Sequence, residues 1–232
     1  MKTVQKTMFL LFSIITLNIS AQSFNNSNSL ADGFRLGIED KKGHPFLIND
    51  WHSGNLVKND GSATEKMLLN YHVVDNVLVS MKMVNGEKTF FKLNTNDYTG
   101  FVIKDDKNRV HLYTKVEGSQ FSKKKKETKF YLIVSVPNKN VLLETTKSFK
   151  DPNANGWSAS TNTTKRGSFK TRTQAYVLTK SGKYAKVKLS NSGIQKVFKD
   201  KKKELKSYMN KNNIRVEEAK DLVKVVEYYH SL

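Results

Sequence analysis

The chain has no cysteine, three prolines and five arginines in 232 residues. Without cysteine there can be no disulfide framework, no zinc ribbon, no thiol nucleophile and no lipid-bearing cysteine. With so little arginine, 35 of the 40 basic residues are lysine. Proteins that grip phosphate through bidentate forks use arginine, and lysine does not replace that geometry. Acidic residues are also few, 21 in all, which leaves a formal net charge of +19. Lysine and the 22 asparagines both come from A/T-rich codons, so part of this bias reflects base composition. Even so, 13 Phe, 9 Tyr and a hydrophobic share of 38% are too apolar for a disordered basic tail. The length suits one domain with a small appendage.

Lys2 and Lys6 precede an apolar run, Met8–Leu17, and Ala21 offers a small residue at its end. A basic start, a short apolar stretch and a small residue at the cut form the pattern of a cleaved export signal. The run has half the length of a membrane span, which needs roughly 20 apolar residues. Residues 1–21 are therefore read as a signal peptide and 22–32, rich in Asn and Ser, as a flexible N-terminus. The longest later apolar run, Phe130–Val134, is far too short to cross a bilayer. A mature chain of this size buries roughly 70% of its unfolded surface and needs no covalent staples outside the cytoplasm.

Residues 33–189 read as an antiparallel β domain. Short apolar or alternating segments recur about every ten residues: Phe46–Ile48, Asn55–Val57, Met67–Tyr71, Val77–Met83, Thr89–Leu93, Tyr98–Ile103, Val110–Tyr113, Lys129–Val136 and Val141–Thr145. Asp60-Gly61, Asp75-Asn76, Asn85-Gly86 and Asp106-Lys107-Asn108 supply residues that accept the positive φ of tight turns. In Val77–Met83 every odd position is apolar, the period of a strand with one buried face. The expected architecture is a meander curled into a barrel or sandwich. Residues 149–168 read as a long polar loop, followed by strands Gln174–Thr179 and Tyr184–Leu189.

From residue 190 the period changes and a short α-helical C-terminal segment, 190–232, is expected to pack on the sheet. Ser192 and Gln195 have capping-box spacing. Ile194, Val197, Phe198, Leu205, Tyr208 and Met209 form one apolar stripe, with a break near Lys199–Lys201. Glu217 and Glu218 suit the positive end of a last helix, striped by Ala219, Leu222, Val223, Val226 and Tyr229.

Three groups of residues carry a resemblance. The first is Pro45-Phe46-Leu47 with Asn49-Asp50-Trp51, Gly54, Asp60-Gly61 and Leu69-Asn70-Tyr71. The second pairs Gln174–Leu178 with Lys186–Leu189. The third runs from Lys201–Leu205 through Asp221-Leu222 to Tyr228-Tyr229. Together they resemble a group of secreted or periplasmic β-rich proteins of Bacteroidetes-type bacteria with a short helical C-terminus. The resemblance implies envelope location and fold style, and it carries over no catalytic or binding residue.

Motifs of chemistry are sparse. The five histidines, at 44, 52, 72, 111 and 230, show no metal-ligand spacing. Asp50 and His52 form a candidate polar cluster, a carboxylate beside an imidazole, and His111 is expected to face solvent. Gly156–Ser160 lacks the second glycine of a nucleophile elbow. The pair Asp105-Asp106 falls in a turn, where solvated acids are ordinary. Two lysine runs stand out: Lys123, Lys124, Lys125 and Lys126, then Lys199, Lys201, Lys202 and Lys203. They are candidate contacts for anionic lipid headgroups or an anionic envelope surface.

The reading is an exported, non-enzymatic binding or accessory protein of the bacterial envelope. No cofactor is expected, and nucleic acid is not the expected partner. The alternative is a carrier of a lipid or other apolar ligand in a half-closed barrel lined by Val77, Val79, Met81, Met83, Phe90, Phe101, Leu112 and Leu132. An enzyme built on Asp50 and His52 ranks last. Cleavage after Ala21 predicts that intact-mass measurement of the exported protein finds Gln22 at its N-terminus; a mass that includes residues 1–21 contradicts it.

Overall fold

The computed structural model describes residues 22–24, 43–151 and 167–232. The expected signal peptide, most of the expected flexible N-terminus and Gly156–Ser160 lie outside them. Eleven strands are formed: β1 (Gln22–Phe24), β2 (His52–Lys58), β3 (Met67–His72), β4 (Val77–Val84), β5 (Glu87–Leu93), β6 (Tyr98–Lys104), β7 (Val110–Val116), β8 (Lys129–Ile133), β9 (Val141–Lys150), β10 (Ser168–Leu178) and β11 (Tyr184–Val187). Three helices follow, α1 (Asn191–Val197), α2 (Lys202–Lys211) and α3 (Ala219–Ser231). All strand pairings in the sheet are antiparallel, in the order β1-β5-β4-β3-β2-β6-β7-β8-β9-β10-β11. The mainly β fold with a helical C-terminus is as the sequence predicts. The sheet stays open and does not close into a barrel.

Turn chemistry sets this register. Asn76, Asn85 and Asn108 take φ of 57°, 51° and 58°, and Gly86 follows Asn85 at 83°. Asn and Gly at positive φ match the twist of paired strands in tight hairpins.

The path departs from a simple meander twice: β1 pairs with β5 rather than β2, and β5 and β6 are not neighbours. β5 and β6 lie four strand spacings apart, about 19 Å in a flat sheet. Only Asn94–Asp97 joins them, and Thr95–Asp97 is a 3₁₀ turn that rises about 2 Å per residue. So short a link requires β2–β5 to curl back toward β6. The side chain of Asn59, past β2, donates to Asn96 O at 3.0 Å, and Lys115 Nζ on β7 donates to Thr95 O, so both reach the link. Inside the curl pack Leu56, Leu69, Tyr71, Leu78, Leu93, Phe101, Ile103 and Phe130. Phe101 stacks on its cross-strand partner Tyr113, with ring centroids 4.5 Å apart.

The other strands place opposite faces in different surroundings. Val141, Ala175, Val177 and Val187 face the helices and meet Ile194, Phe198, Leu205, Met209, Leu222, Val225, Val226 and Tyr229. Alternate residues Leu142, Tyr176 and Tyr184 turn the other way and pack with Val116, Phe121, Tyr131 and Ile133. Phe121 comes from the β7–β8 loop, which crosses this face far enough for Ser122 N to donate to Tyr184 O at 2.9 Å.

Several expectations change. Phe46–Ile48 is not a strand. Phe46 makes only an isolated bridge to His72, because the buried side chain of Asn70 takes the backbone groups of Ile48. The polar stretch 149–168 is shorter than read: β9 runs to Lys150 and β10 starts at Ser168, paired with each other throughout. Ser190, not Ser192, caps α1 and accepts from Gly193 N at 3.0 Å. The break falls as expected, with a 3₁₀ turn at Lys199–Lys201. The residues assigned to one ligand cavity fall in different places: Val77, Val79, Met81 and Phe90 under Phe46 and Trp51, Phe101 inside the curl, and Leu112 beside Tyr131. Met83 is 59% exposed.

Asp105 is not a solvated turn acid. Its Oδ1 accepts from the amides of Lys107 and Arg109 at 2.9 Å each. Its Oδ2 lies 2.9 Å from His111 Nε2 and accepts from Arg109 Nε at 2.7 Å. His111 is thereby half-buried rather than solvent-facing. The His111 hydrogen bond, then that of Arg109, holds the Asp105 carboxyl well below its ordinary value of 3.8. A depressed carboxylate stabilises the fold fully above its unfolded value, and the contribution is lost as pH falls through the folded one. Asp105→Asn should lower Tm at pH 7, with the gap to wild type closing in thermal melts below pH 3.8. A gap that stays constant into acid would contradict this.

Candidate cationic face and lysine cage

Strand alternation and register set out the site. On β9, Glu144, Thr146, Ser148 and Lys150 point to one face; on β10, Ser168, Lys170, Arg172, Gln174 and Tyr176 share it. Lys186 on β11 stands opposite Tyr176 and joins them. This is the face that Phe121 and Tyr131 cover at its inner end. Beyond residues 145 and 173 the β9–β10 hairpin is a two-stranded ribbon that pairs with no further strand among the described residues. Its opposite face is braced by Lys147, whose Nζ donates to the carbonyls of His44 and Phe46.

Lys150, Lys170, Arg172 and Lys186 are exposed, and none has a carboxylate within ion-pair distance among the described residues. Like-charge repulsion from Lys150, then a contact with it, holds the Lys170 ammonium below its ordinary value, with Arg172 adding to the effect. Uncompensated charge of this kind attracts anions.

The first lysine run splits at this face. Lys123, Lys124 and Lys126 are exposed, whereas Lys125 turns inward. Its Nζ lies 2.6 Å from Glu144 Oε2 and 3.0 Å from the Tyr131 hydroxyl. Three rings surround the same nitrogen, with the centroids of Tyr176, Phe121 and Tyr131 at 4.3, 4.5 and 5.0 Å. Tyr176 donates its hydroxyl to the same Glu144 Oε2 at 2.8 Å. Burial pulls the Lys125 ammonium below its ordinary value, against the opposing pull of Glu144. Burial also raises the hydroxyls of Tyr131 and Tyr176, keeping both neutral, the first as acceptor from Lys125 and the second as donor to Glu144. Gly118 lets the loop close over this centre: a Cβ there would overlap the carbonyl oxygen of Lys125.

The second run lies elsewhere. Lys199, Lys202 and Lys203 are exposed, and Lys201 pairs with Glu204 at 3.2 Å. They border helices that pack on the Val141–Val177–Val187 side of the sheet, opposite the side holding Glu144 and Tyr176. The two runs therefore do not form one surface.

Asp50 and His52 do not form a pair. Asp50 is exposed and its carbonyl accepts from Asn70. His52 is buried, with Nδ1 3.5 Å from Asp106 Oδ1. The other histidines bind locally: His44 to Asn49, His72 to Asp75, His230 to Leu178 O. No group of three or more potential metal ligands exists among the described residues.

Comparison with protein-family models, curated proteins and solved structures finds no match. The described residues form an open, curled antiparallel sheet with a helical cap and a cationic face whose inner end is covered by a caged lysine.

Breaking a part-buried, charge-assisted pair from one side leaves the remaining charge without a partner and costs about 1–3 kcal/mol. Lys125→Met should cost about 2 kcal/mol in urea denaturation, and adding Glu144→Gln should recover more than half of it. Equal losses in the single and double variants would show that Glu144 does not hold Lys125.

Proposed function

We propose that the protein is exported and works as a non-enzymatic binding or accessory module of the bacterial envelope. Its cationic sheet face would rest on an anionic, phosphate-bearing lipid surface. One observation carries the reading: four exposed cations, Lys150, Lys170, Arg172 and Lys186, share a face without a carboxylate partner among the described residues. Lys123, Lys124 and Lys126 lie exposed on the loop that covers the inner end of that face. The basic start and apolar run of residues 1–21 support export, and the resemblance to secreted β-rich proteins supports an envelope setting.

The energetics fit a reversible contact. Each lysine or arginine close to an anionic bilayer contributes about 1 kcal/mol, and the attraction fades within a Debye length of about 8 Å at physiological salt. No helix of the described residues is long and apolar enough to cross a membrane. The carrier alternative has no comparable support, because its proposed lining residues lie in separate packed clusters.

Binding to vesicles containing phosphatidylglycerol should be strong at 20 mM salt and at least tenfold weaker at 300 mM. Vesicles of phosphatidylcholine alone should bind weakly throughout. Lys150→Glu, Lys170→Glu and Arg172→Glu together should reduce binding at least tenfold, while Lys199→Glu, Lys202→Glu and Lys203→Glu together should change it less than threefold. Salt-independent binding, or the opposite ranking of the triple variants, would sink the proposal.

A further inference from the structure

The Lys125 cage surrounds an ammonium group with aromatic rings and a carboxylate. Its walls come from four separate stretches of chain: Tyr131 on β8, Glu144 on β9, Tyr176 on β10 and Phe121 on the β7–β8 loop. Two rings, the hydroxyl edge of a third and a carboxylate converge on one nitrogen. Aromatic faces attract cations through their quadrupole, and this arrangement is how proteins recognise alkylated ammonium groups. The occupant, by contrast, is held by a loop whose neighbouring residues, 122–124 and 126–128, are all exposed. Beside the cage opens a depression of about 200 Å³ lined by Lys125, Lys126, Glu127, Lys129 and Glu144. It gives room for the remainder of a small molecule whose cationic end replaces the lysine.

The chemistry of the occupant favours exchange. A lysine ammonium is compact and strongly hydrated. In the cage it keeps two of its donors satisfied, by Glu144 and the Tyr131 hydroxyl. Burial, with repulsion from Lys129 and Lys186, opposes its charge more than Glu144 supports it. A methylated ammonium has less hydration to lose and presents apolar methyl groups to the rings.

We propose that Phe121, Tyr131, Tyr176 and Glu144 form a binding site for an alkylated organic ammonium of the choline type, and that Lys125 occupies it as an internal, displaceable ligand. The site is separate from the exposed cations of the ribbon, which attract the opposite charge. An internal competitor reduces apparent affinity by the fraction of time it leaves the site open. Removing Lys125 should therefore tighten binding.

The test titrates the full mature chain and its Lys125→Ala variant with tetramethylammonium chloride, against sodium chloride at equal ionic strength. Lys125→Ala should melt below wild type and regain several degrees with tetramethylammonium but not with sodium. Its Kd by calorimetry should be at least tenfold tighter than that of wild type, and adding Tyr176→Leu should abolish the effect. Should Lys125→Ala fail to fold, Lys125→Gln, which keeps the side-chain length, takes its place under the same expectations. A folded variant with no response beyond that to sodium would overturn the proposal and leave the cage as an internal staple. Free choline and phosphatidylcholine vesicles at 300 mM salt, each offered to Lys125→Ala, in which the site is open, then separate the sources of the ligand: a soluble amine binds only as the former, a lipid headgroup as both. Binding of neither would also overturn it. Because high salt suppresses contacts of the ribbon lysines, failure here leaves the anionic-surface reading standing.

Discussion

The contact between Lys125 and Glu144 organises the half of the molecule that carries the β9–β10 ribbon. At 2.6 Å, and shared with the hydroxyl of Tyr176, it ties the β7–β8 loop to two strands that are distant in sequence. The loop in turn places Phe121 between Tyr131, Tyr176 and Tyr184. Each ring pair of this kind contributes about 0.5–1.5 kcal/mol beyond the area it buries. One ion pair thus decides which aromatic face is covered and where the exposed lysines on either side of residue 125 emerge.

A second constraint shapes the other half. Because four residues must carry the chain from β5 to β6, the sheet has to curl, and the curl creates an interior large enough for Phe101, Tyr113, Phe130 and Tyr71. Those rings fill it. The result is a packed body with its polar work at the surface. The long hairpin of β9 and β10 extends from this body with cations on one face, while Lys147 anchors its other face to the segment around His44 and Phe46.

The sequence shows the strands clearly where turn residues bracket them. Asn85-Gly86, Asp75-Asn76 and Asp106–Asn108 mark real hairpins, and Val77, Val79 and Met81 form a real buried face, although Leu78 and Ser80 opposite them are buried too and Met83 is exposed. The helices are legible from their 3.6-residue period, down to the break at Lys199–Lys201. The outer part of the β9–β10 hairpin is not, because Asn, Ser and Gly between 151 and 168 look like one long loop. Phe169-Lys170-Thr171-Arg172-Thr173 nonetheless alternates with period two, and that signal was available. Nor can charge counting separate Lys125 from its neighbours. Four identical residues in a row differ only in which one meets Glu144, a residue 19 positions away. The Asp50–His52 pairing fails for a similar reason, since proximity in sequence gave way to Asp106 across the neighbouring strand.

The most direct measurement of this account is lysine footprinting by acetylation and mass spectrometry, with and without phosphatidylglycerol vesicles. In the free protein Lys125 should react at least tenfold more slowly than Lys123, Lys124 and Lys126. On vesicles Lys150, Lys170 and Lys186 should gain protection while Lys199, Lys202 and Lys203 stay reactive. Equal reactivity across 123–126, or protection centred on the helical run, would contradict it.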